Sequence, residues 1–172
     1  MAVHEIKKYP DPVLKKKTAP VEKIDDALNR LIDDMVETMH AASGVGLAAN
    51  QVGISLQLAV IDIGEHGGEG VRHPLLVLIN PEIVSYEGAV TAEEGCLSVP
   101  EFSETVKRAA RVKVRAKDRT GKPFEMEAEG LMAKALQHEI DHLNGILFID
   151  RLSPIKKSIF KRKLRKALAE TA

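Results

Sequence analysis

Two histidines stand four positions apart, with a carboxylate beside the first, in the run His138-Glu139-Ile140-Asp141-His142. On an α-helix, at about 100° per residue, the two imidazoles lie roughly 40° apart and can bind one metal ion. Glu139 then lies near that ion without crowding its ligands, which suits a general base. The same short pattern also arises by chance on an ordinary helix with two surface histidines. The run therefore predicts a metal-dependent hydrolase. Other parts of the sequence are needed to distinguish a metal site from a chance pattern.

The chain contains a single cysteine, Cys96. A lone thiol cannot form an internal disulfide, so three roles remain: a buried structural thiol, a nucleophile or a metal ligand. Without other information the buried thiol is the default.

The composition is that of a neutral chain of 172 residues, 44% of them hydrophobic, with 25 basic and 25 acidic side chains. This length and apolar content predict one domain over residues 1–172. Zero net charge gives no overall attraction for DNA or for a membrane surface. Charges and prolines interrupt the N-terminal run MAVHEIKKYPDP, so we expect neither a signal peptide nor a membrane span, and we predict a cytoplasmic protein.

Periodicity predicts an α+β fold with helices at both ends of the chain. Apolar steps of three and four predict an N-terminal helix over residues 25–43. Strands are predicted at 56–63 and 75–80 with a mobile glycine-rich loop between them, and a hairpin is predicted at 111–118 and 123–129. A central helix follows from about 131 to 143 and a basic C-terminal helix over about 154–170. Antiparallel or mixed strands would surround the central helix.

The central helix has an apolar stripe roughly opposite its histidines. The stripe consists of Met132, Leu136, Ile140 and Leu143. We expect it to pack on the strands and to turn the histidines into a cleft, where their orientation is fixed. The alternative is a solvent-facing pair of histidines, and the apolar neighbours Leu131 and Ala135 on that side argue against it.

Three short motifs follow in order along the chain: GVGLAANQ at 44–51, EGCLS at 94–98 and QHEIDH at 137–142. Together they resemble the three signature motifs of the peptide deformylases, which remove the formyl group from nascent bacterial-type proteins. The resemblance extends from YPDP at 9–12 to LSP at 152–154. It implies an enzyme of N-terminal processing that acts on the formyl-methionine of nascent peptides.

The resemblance implies that Cys96, His138 and His142 are the metal ligands. Two imidazoles and one thiolate leave a fourth tetrahedral position for water, as a catalytic site requires. These donors suit zinc and iron alike. The family implies Fe²⁺ as the native ion, with Zn²⁺, Ni²⁺ or Co²⁺ as alternatives.

The resemblance also implies a mechanism. Metal-bound water attacks the formyl carbon, and Glu139 accepts its proton and returns it to the leaving amine. The side-chain amide of Gln51 and the backbone N–H of Leu97 stabilise the developing oxyanion. By the same resemblance, Gly46 is expected to bind the substrate backbone. The pocket for the methionine side chain is lined by Val45, Glu94, Leu131 and His138.

Two residues depart from the family pattern. Ser103 stands where an arginine that contacts substrate is common, and Lys134 stands where an apolar wall residue is common. Neither departure affects the predicted catalytic residues. How the enzyme binds the substrate residues that follow methionine remains open. Asp141, together with Arg108, is a weaker candidate for orienting a ligand histidine, because helix charges are more often simply solvated.

Two other functions remain open. A metallopeptidase of the HExxH type usually completes its site with a downstream carboxylate or third histidine, and nothing after His142 offers one at that spacing. A non-catalytic, ribosome-associated metal-binding module would keep the ligands without needing Glu139. The last helix, with seven basic residues between 156 and 166, is a candidate ribosome contact, and a solvated amphipathic helix is the alternative.

Overall fold

The fold comes from a computed structural model of the chain, which describes residues 2–64 and 73–171. Most of the predicted mobile loop, residues 65–72, lies outside the described residues. The elements follow in this order: a 3-10 turn Pro12–Lys15, helix α1 Asp26–Ala41, strand β1 Gly46–Ala48, a 3-10 turn Ala49–Val52, β2 Leu58–Ile61, β3 Leu76–Glu87, β4 Val90–Cys96, β5 Val99–Arg108, β6 Arg111–Lys117, β7 Pro123–Glu129, α2 Gly130–Leu143, a 3-10 turn Phe148–Arg151 and α3 Pro154–Thr171.

Within the described residues, five strands form one antiparallel sheet in the order β1-β2-β3-β6-β7. Strand β6 buries Val112, Val114 and Ala116, while its alternate charged residues point away from the core. Strands β6 and β7 form the hairpin that the alternation predicted. Strand β3 runs on to Glu87, well past the predicted end at residue 80.

Helix α1 packs on one face of this sheet. The side chain of Asp25 accepts a hydrogen bond from the Leu28 N–H at 2.9 Å and caps the helix. The buried side of α1 includes Ile32, Met35 and Met39, which pack against apolar residues of β1, β2 and β3. Their spacing of three and four residues is the one that predicted this helix.

Helix α2 packs on the opposite face of the sheet and is enclosed on its other side as well. The four stripe residues Met132, Leu136, Ile140 and Leu143 all belong to the core between α2 and the sheet, as predicted. The helix follows β7 directly, and Gly130 at their junction has a φ of +63°, which favours glycine. Because its far side is also covered, α2 carries polar residues into the interior of the protein.

The cover over that far side is a hairpin that the sequence did not predict. Strands β4 and β5 pair antiparallel as a two-stranded sheet. Beneath them lies a third apolar cluster in which the ring of Phe102 contacts those of Phe148 and Phe160, with centroids 6.1 and 4.7 Å away. Helix α3 supplies Phe160, and its Lys156 pairs with Glu104 of β5 at 3.3 Å. Helix α3 is thereby attached to the hairpin.

The predicted α+β class is confirmed, and the pairing of the described strands is antiparallel throughout. Helix α2 begins and ends within one residue of its predicted bounds. No helix in the described part of the chain is both long enough and apolar enough to cross a bilayer.

Candidate metal centre and active site

Helix α2 and the end of strand β4 bring together three side chains of the kinds that bind metal ions. His138 and His142 lie one helical turn apart, with their Nε2 atoms separated by 3.1 Å. The Sγ atom of Cys96, the last residue of β4, lies 3.3 Å from His142 Nε2. One donor atom from each residue lies within 4.8 Å of the others. The structure therefore brings together the three residues that the resemblance implies as ligands.

The donor set fits a tetrahedral ion. Metal–nitrogen bonds of about 2.0 Å and a metal–sulfur bond of about 2.3 Å separate neighbouring donors by about 3.3–3.6 Å. Two of the three separations, 3.1 and 3.3 Å, are close to those values, and the third is no more than 4.8 Å. Three protein donors also leave a fourth position free, as catalytic sites do. The cluster is consistent with one bound metal ion, and its donors suit zinc and iron equally.

The orientation of His138 is fixed from behind by a buried ion pair. Its Nδ1 atom lies 2.9 Å from Glu94 Oε1. Arg108 donates two hydrogen bonds to the same carboxylate, at 2.7 and 2.8 Å, and neither side chain is more than 3% exposed. Burial alone would raise the pKa of Glu94, but the hydrogen bonds from Arg108 and His138 outweigh it and lower the pKa to about 2. Glu94 is therefore a permanent carboxylate that holds the ring.

The two histidines differ in their affinity for protons. Burial lowers the pKa of His138, but its hydrogen bonds to Cys96 and Glu94 outweigh burial and raise the pKa to about 10. Burial and the neighbouring His138 charge lower the pKa of His142 well below its usual value. Metal binding would therefore displace a proton from His138, while His142 is already the neutral ligand form.

Glu139 lies beside the two histidines on α2 and is 4% exposed. Its Oε1 atom is buried and has no hydrogen-bond partner within residues 2–64 and 73–171. Burial is the main cause that raises its pKa to about 7, against the opposing charge of His138. Gly46 makes room for this carboxylate, since a Cβ atom there would lie 2.5 Å from Glu139 Oε2. An unpartnered buried carboxylate oxygen can accept a proton from a water or substrate in the cavity.

Gln51 presents its amino group to the metal site. Its Oε1 atom accepts a hydrogen bond from the Ala48 N–H at 2.9 Å, which fixes the orientation of the amide. Its Nε2 atom donates to Ser98 Oγ at 3.1 Å and faces Cys96 Sγ at 3.6 Å. Leu97 follows Cys96 in the tight turn between β4 and β5.

A cavity of about 630 Å³ opens beside the three donors. Its lining includes the predicted substrate-binding residues Gly46, Val45, Glu94 and Leu131, together with Gln51, Leu97, Cys96, His138 and Glu139. Ser103 and Lys134, the two departures from the family pattern, also line the cavity, and both contact Glu93. Ser103 Oγ donates to the Glu93 carboxylate at 2.7 Å, and Lys134 Nζ donates to the Glu93 backbone carbonyl at 2.9 Å.

Comparison with known proteins agrees with this geometry. The sequence profile of the polypeptide deformylases matches residues 3–158. The peptide deformylase of Syntrophobacter fumaroxidans is 59% identical over 170 residues, which cover 99% of this chain and 98% of that protein. The chain belongs to the polypeptide deformylase family. Family membership makes it a hydrolase, as the resemblance implied, and gives no support to the metallopeptidase alternative.

Solved deformylase structures share the fold over almost the whole chain. The crystal structure of a peptide deformylase from Legionella pneumophila is 52% identical, with a TM-score of 0.88 over 99% of this chain and 98% of that one. A second deformylase, from Ehrlichia chaffeensis, was solved in complex with actinonin. It is 40% identical, with a TM-score of 0.90 over 97% of this chain and 98% of that one.

Behind the site, the structure extends the ion pair further than the sequence suggested. The weaker prediction that Asp141 acts with Arg108 is confirmed as a contact, because Arg108 Nη1 lies 2.6 Å from Asp141 Oδ2. Arg151 donates two more hydrogen bonds to Asp141, at 2.6 and 2.7 Å, and was not predicted. Ser98, the partner of Gln51, was also missed, although it lies inside the EGCLS motif.

Proposed function

We propose that this chain removes the formyl group from the N-terminal formyl-methionine of nascent polypeptides and releases formate. The observation that carries the proposal is the convergence of one thiol and two imidazoles beside the buried carboxylate of Glu139, at the end of a cavity. A structural metal site would need neither the open position nor the unpartnered carboxylate.

Cys96, His138 and His142 would hold the ion, and Fe²⁺ is the proposed native metal, with Zn²⁺, Ni²⁺ and Co²⁺ as the alternatives. Such an ion would supply a nucleophilic water at neutral pH and a positive charge beside the oxygen of the formyl group. Elemental analysis after anaerobic purification would identify the ion. An oxidisable ion beside Cys96 would also make activity sensitive to oxygen.

Glu139 is the proposed general base and acid. It accepts a proton from the water that attacks the formyl carbon and donates a proton to the departing amine nitrogen. The support is its buried position beside His138 and its unpartnered Oε1 atom. Gly46 keeps this carboxylate in place by its lack of a side chain.

Gln51 and Leu97 are the proposed oxyanion donors. The carbonyl of Gln51 is engaged by Ala48, so its amino group is the end that faces the cavity. Each preorganised donor of this kind is typically worth about 3 kcal/mol of transition-state stabilisation. Leu97 directly follows the proposed ligand Cys96, so its backbone N–H is held close to the metal site.

The substrate is proposed to lie along the cavity with its first side chain against aliphatic walls. Val45 and Leu131 offer an apolar slot of the kind that an unbranched thioether fills. Glu94 and His138 close its inner end, and the backbone of Gly46 is proposed to bind the substrate main chain.

The decisive experiment measures formate release from a formyl-Met tripeptide by the metal-loaded protein. Glu139→Gln should abolish turnover while the metal content stays at one ion per chain, because Glu139 is not a ligand. Lys117→Gln, on the outer end of β6, is the matched control. Full activity of the Glu139 variant would refute the mechanism, and cleavage of peptides without a formyl group would favour the metallopeptidase instead.

The proposed macromolecular partner is the ribosome, in the cytoplasm, through α3. The exposed basic residues of this helix include Lys161, Arg162 and Arg165. Truncation would remove the buried Phe160 as well, so charge reversal of Lys161 and Arg165 is the cleaner test. If electrostatic contacts with RNA hold the protein, ribosome binding should weaken with these variants and with added salt. Unchanged binding would exclude this role for α3.

A further inference from the structure

Lys134 brings an ammonium group into the wall of the substrate cavity. On α2 it lies one turn before the proposed ligand His138 and three residues after Leu131, and all three line the cavity. Its Nζ atom reaches across to β4 and donates to the Glu93 carbonyl at 2.9 Å. The lysine side chain therefore spans from α2 to β4 at an exposed part of the cavity wall.

The ammonium group of Lys134 has more N–H donors than the protein contact uses. A lysine carries three N–H groups, and the Glu93 carbonyl uses one of them. Lys134 has no ion pair with a carboxylate among the residues that the structure describes: Ser103 donates to the side chain of Glu93, while Arg108 and His138 hold that of Glu94. The remaining N–H groups must be solvated or must bond to a molecule in the cavity.

Methionine and methionine sulfoxide differ in their ability to accept a hydrogen bond from the Lys134 ammonium group. A thioether sulfur is a weak acceptor, so a methionine side chain that displaces water from the ammonium does not replace the lost hydrogen bonds. Methionine sulfoxide keeps the same unbranched chain and adds a strongly polar oxygen on the sulfur. That oxygen can take the place of the displaced water.

We propose that the cavity binds N-formyl-methionine sulfoxide as the first residue of a substrate, with Lys134 donating a hydrogen bond to the sulfoxide oxygen. This inference rests on the proposed deformylase function and adds a substrate class to it. The reaction is unchanged: water adds across the formyl C–N bond, formate and the free amine are released, and the sulfoxide is neither oxidised nor reduced.

The test compares kcat/KM for three tripeptides that differ only in the first residue: formyl-Met, formyl-methionine sulfoxide and formyl-norleucine. Norleucine has the shape of methionine without an acceptor. The protein is used with its metal loaded, as the parent and as Lys134→Met, Lys134→Arg and Lys107→Met. Lys107 is exposed on β5 outside this cavity and is the matched control.

We expect Lys134→Met to lower the ratio of sulfoxide to methionine turnover on the order of 10-fold, the usual effect of one charge-assisted hydrogen bond. Lys134→Arg, which keeps a donor, should retain most of that ratio, and Lys107→Met should retain all of it. A ratio that is the same in Lys134→Met and the parent overturns the inference while leaving the proposed function intact. No formate from formyl-Met in the parent would refute the proposed function itself.

Discussion

Among the residues packed behind the proposed metal site, Arg108 is the one whose replacement we expect to lower the free energy of unfolding most. It is 3% exposed and bonds to two buried carboxylates, those of Glu94 and Asp141. In Arg108→Met, Glu94 would keep its bond to His138 and Asp141 its bonds to Arg151. The guanidinium that lies between the two carboxylates would be gone. Removing one partner of a buried pair costs about 3–5 kcal/mol. For a chain of this size that corresponds to a fall in Tm of roughly 6–20 °C.

The same substitution should weaken metal binding, because Glu94 orients His138 only while Arg108 holds Glu94. Losses of such outer contacts typically reduce metal affinity by about 10–100-fold. Urea unfolding in the presence of a chelator measures the stability change, and competition with a chromophoric chelator measures the affinity of the folded variant.

Arg115→Met is the control for this experiment. Arg115 pairs with Glu125 on the surface of the sheet and is 56% exposed, so its loss should cost less than about 1 kcal/mol. If Arg108→Met costs no more than Arg115→Met, or if its metal affinity equals that of the parent, the buried ion pair neither stabilises the fold nor orients His138.

Three further outcomes follow from the site and its surroundings. Gly46→Ala should push the Glu139 carboxylate aside, because the new Cβ would lie 2.5 Å from Oε2, and formate assays should show a large loss of kcat with normal metal content. Gln51→Ala should lower kcat about 100-fold through the loss of one oxyanion donor, and an unchanged kcat would remove it from the mechanism. Phe160→Ala should cost about 3–5 kcal/mol of unfolding free energy in urea, since the ring is 4% exposed within the third apolar cluster.

Local patterns were sufficient to predict the parts of the fold that repeat regularly. The apolar spacing of α1 and α2 and the alternation of β6 and β7 match the elements within a few residues. Because an α-helix determines the relative directions of its own side chains, the approach of His138 to His142 could be predicted as well. Cys96 could be joined to them only through the family resemblance, since no local rule relates residues 42 positions apart.

The hairpin of β4 and β5 could not be predicted because its sequence lacks the usual signals. Burial in β4 alternates, but its inner side carries Ala92, Glu94 and Cys96 instead of large apolar residues, and the turn at Leu97 and Ser98 has neither glycine nor asparagine. The bonds from Arg108 to Glu94 and from Arg151 to Asp141 were not predicted for a related reason. A charged residue at the end of a strand or turn is normally solvated. The packing of the hairpin over α2 encloses Arg108, whereas Arg151 reaches Asp141 from the surface and stays 43% exposed.

The proposed metal donors belong to two different units of the fold. Cys96 ends a strand of the hairpin, which rests on the aromatic cluster beneath it, whereas the two histidines belong to the helix that rests on the main sheet. A cation held between them would act as a cross-link that closes a long loop of chain, and such closures remove entropy from the unfolded state. The ion required for the chemistry would then add a further link between the hairpin and α2, beside the bonds that Glu94 and Arg108 make to His138 and Asp141. Loading the metal would therefore raise the free energy of unfolding as well as enable turnover.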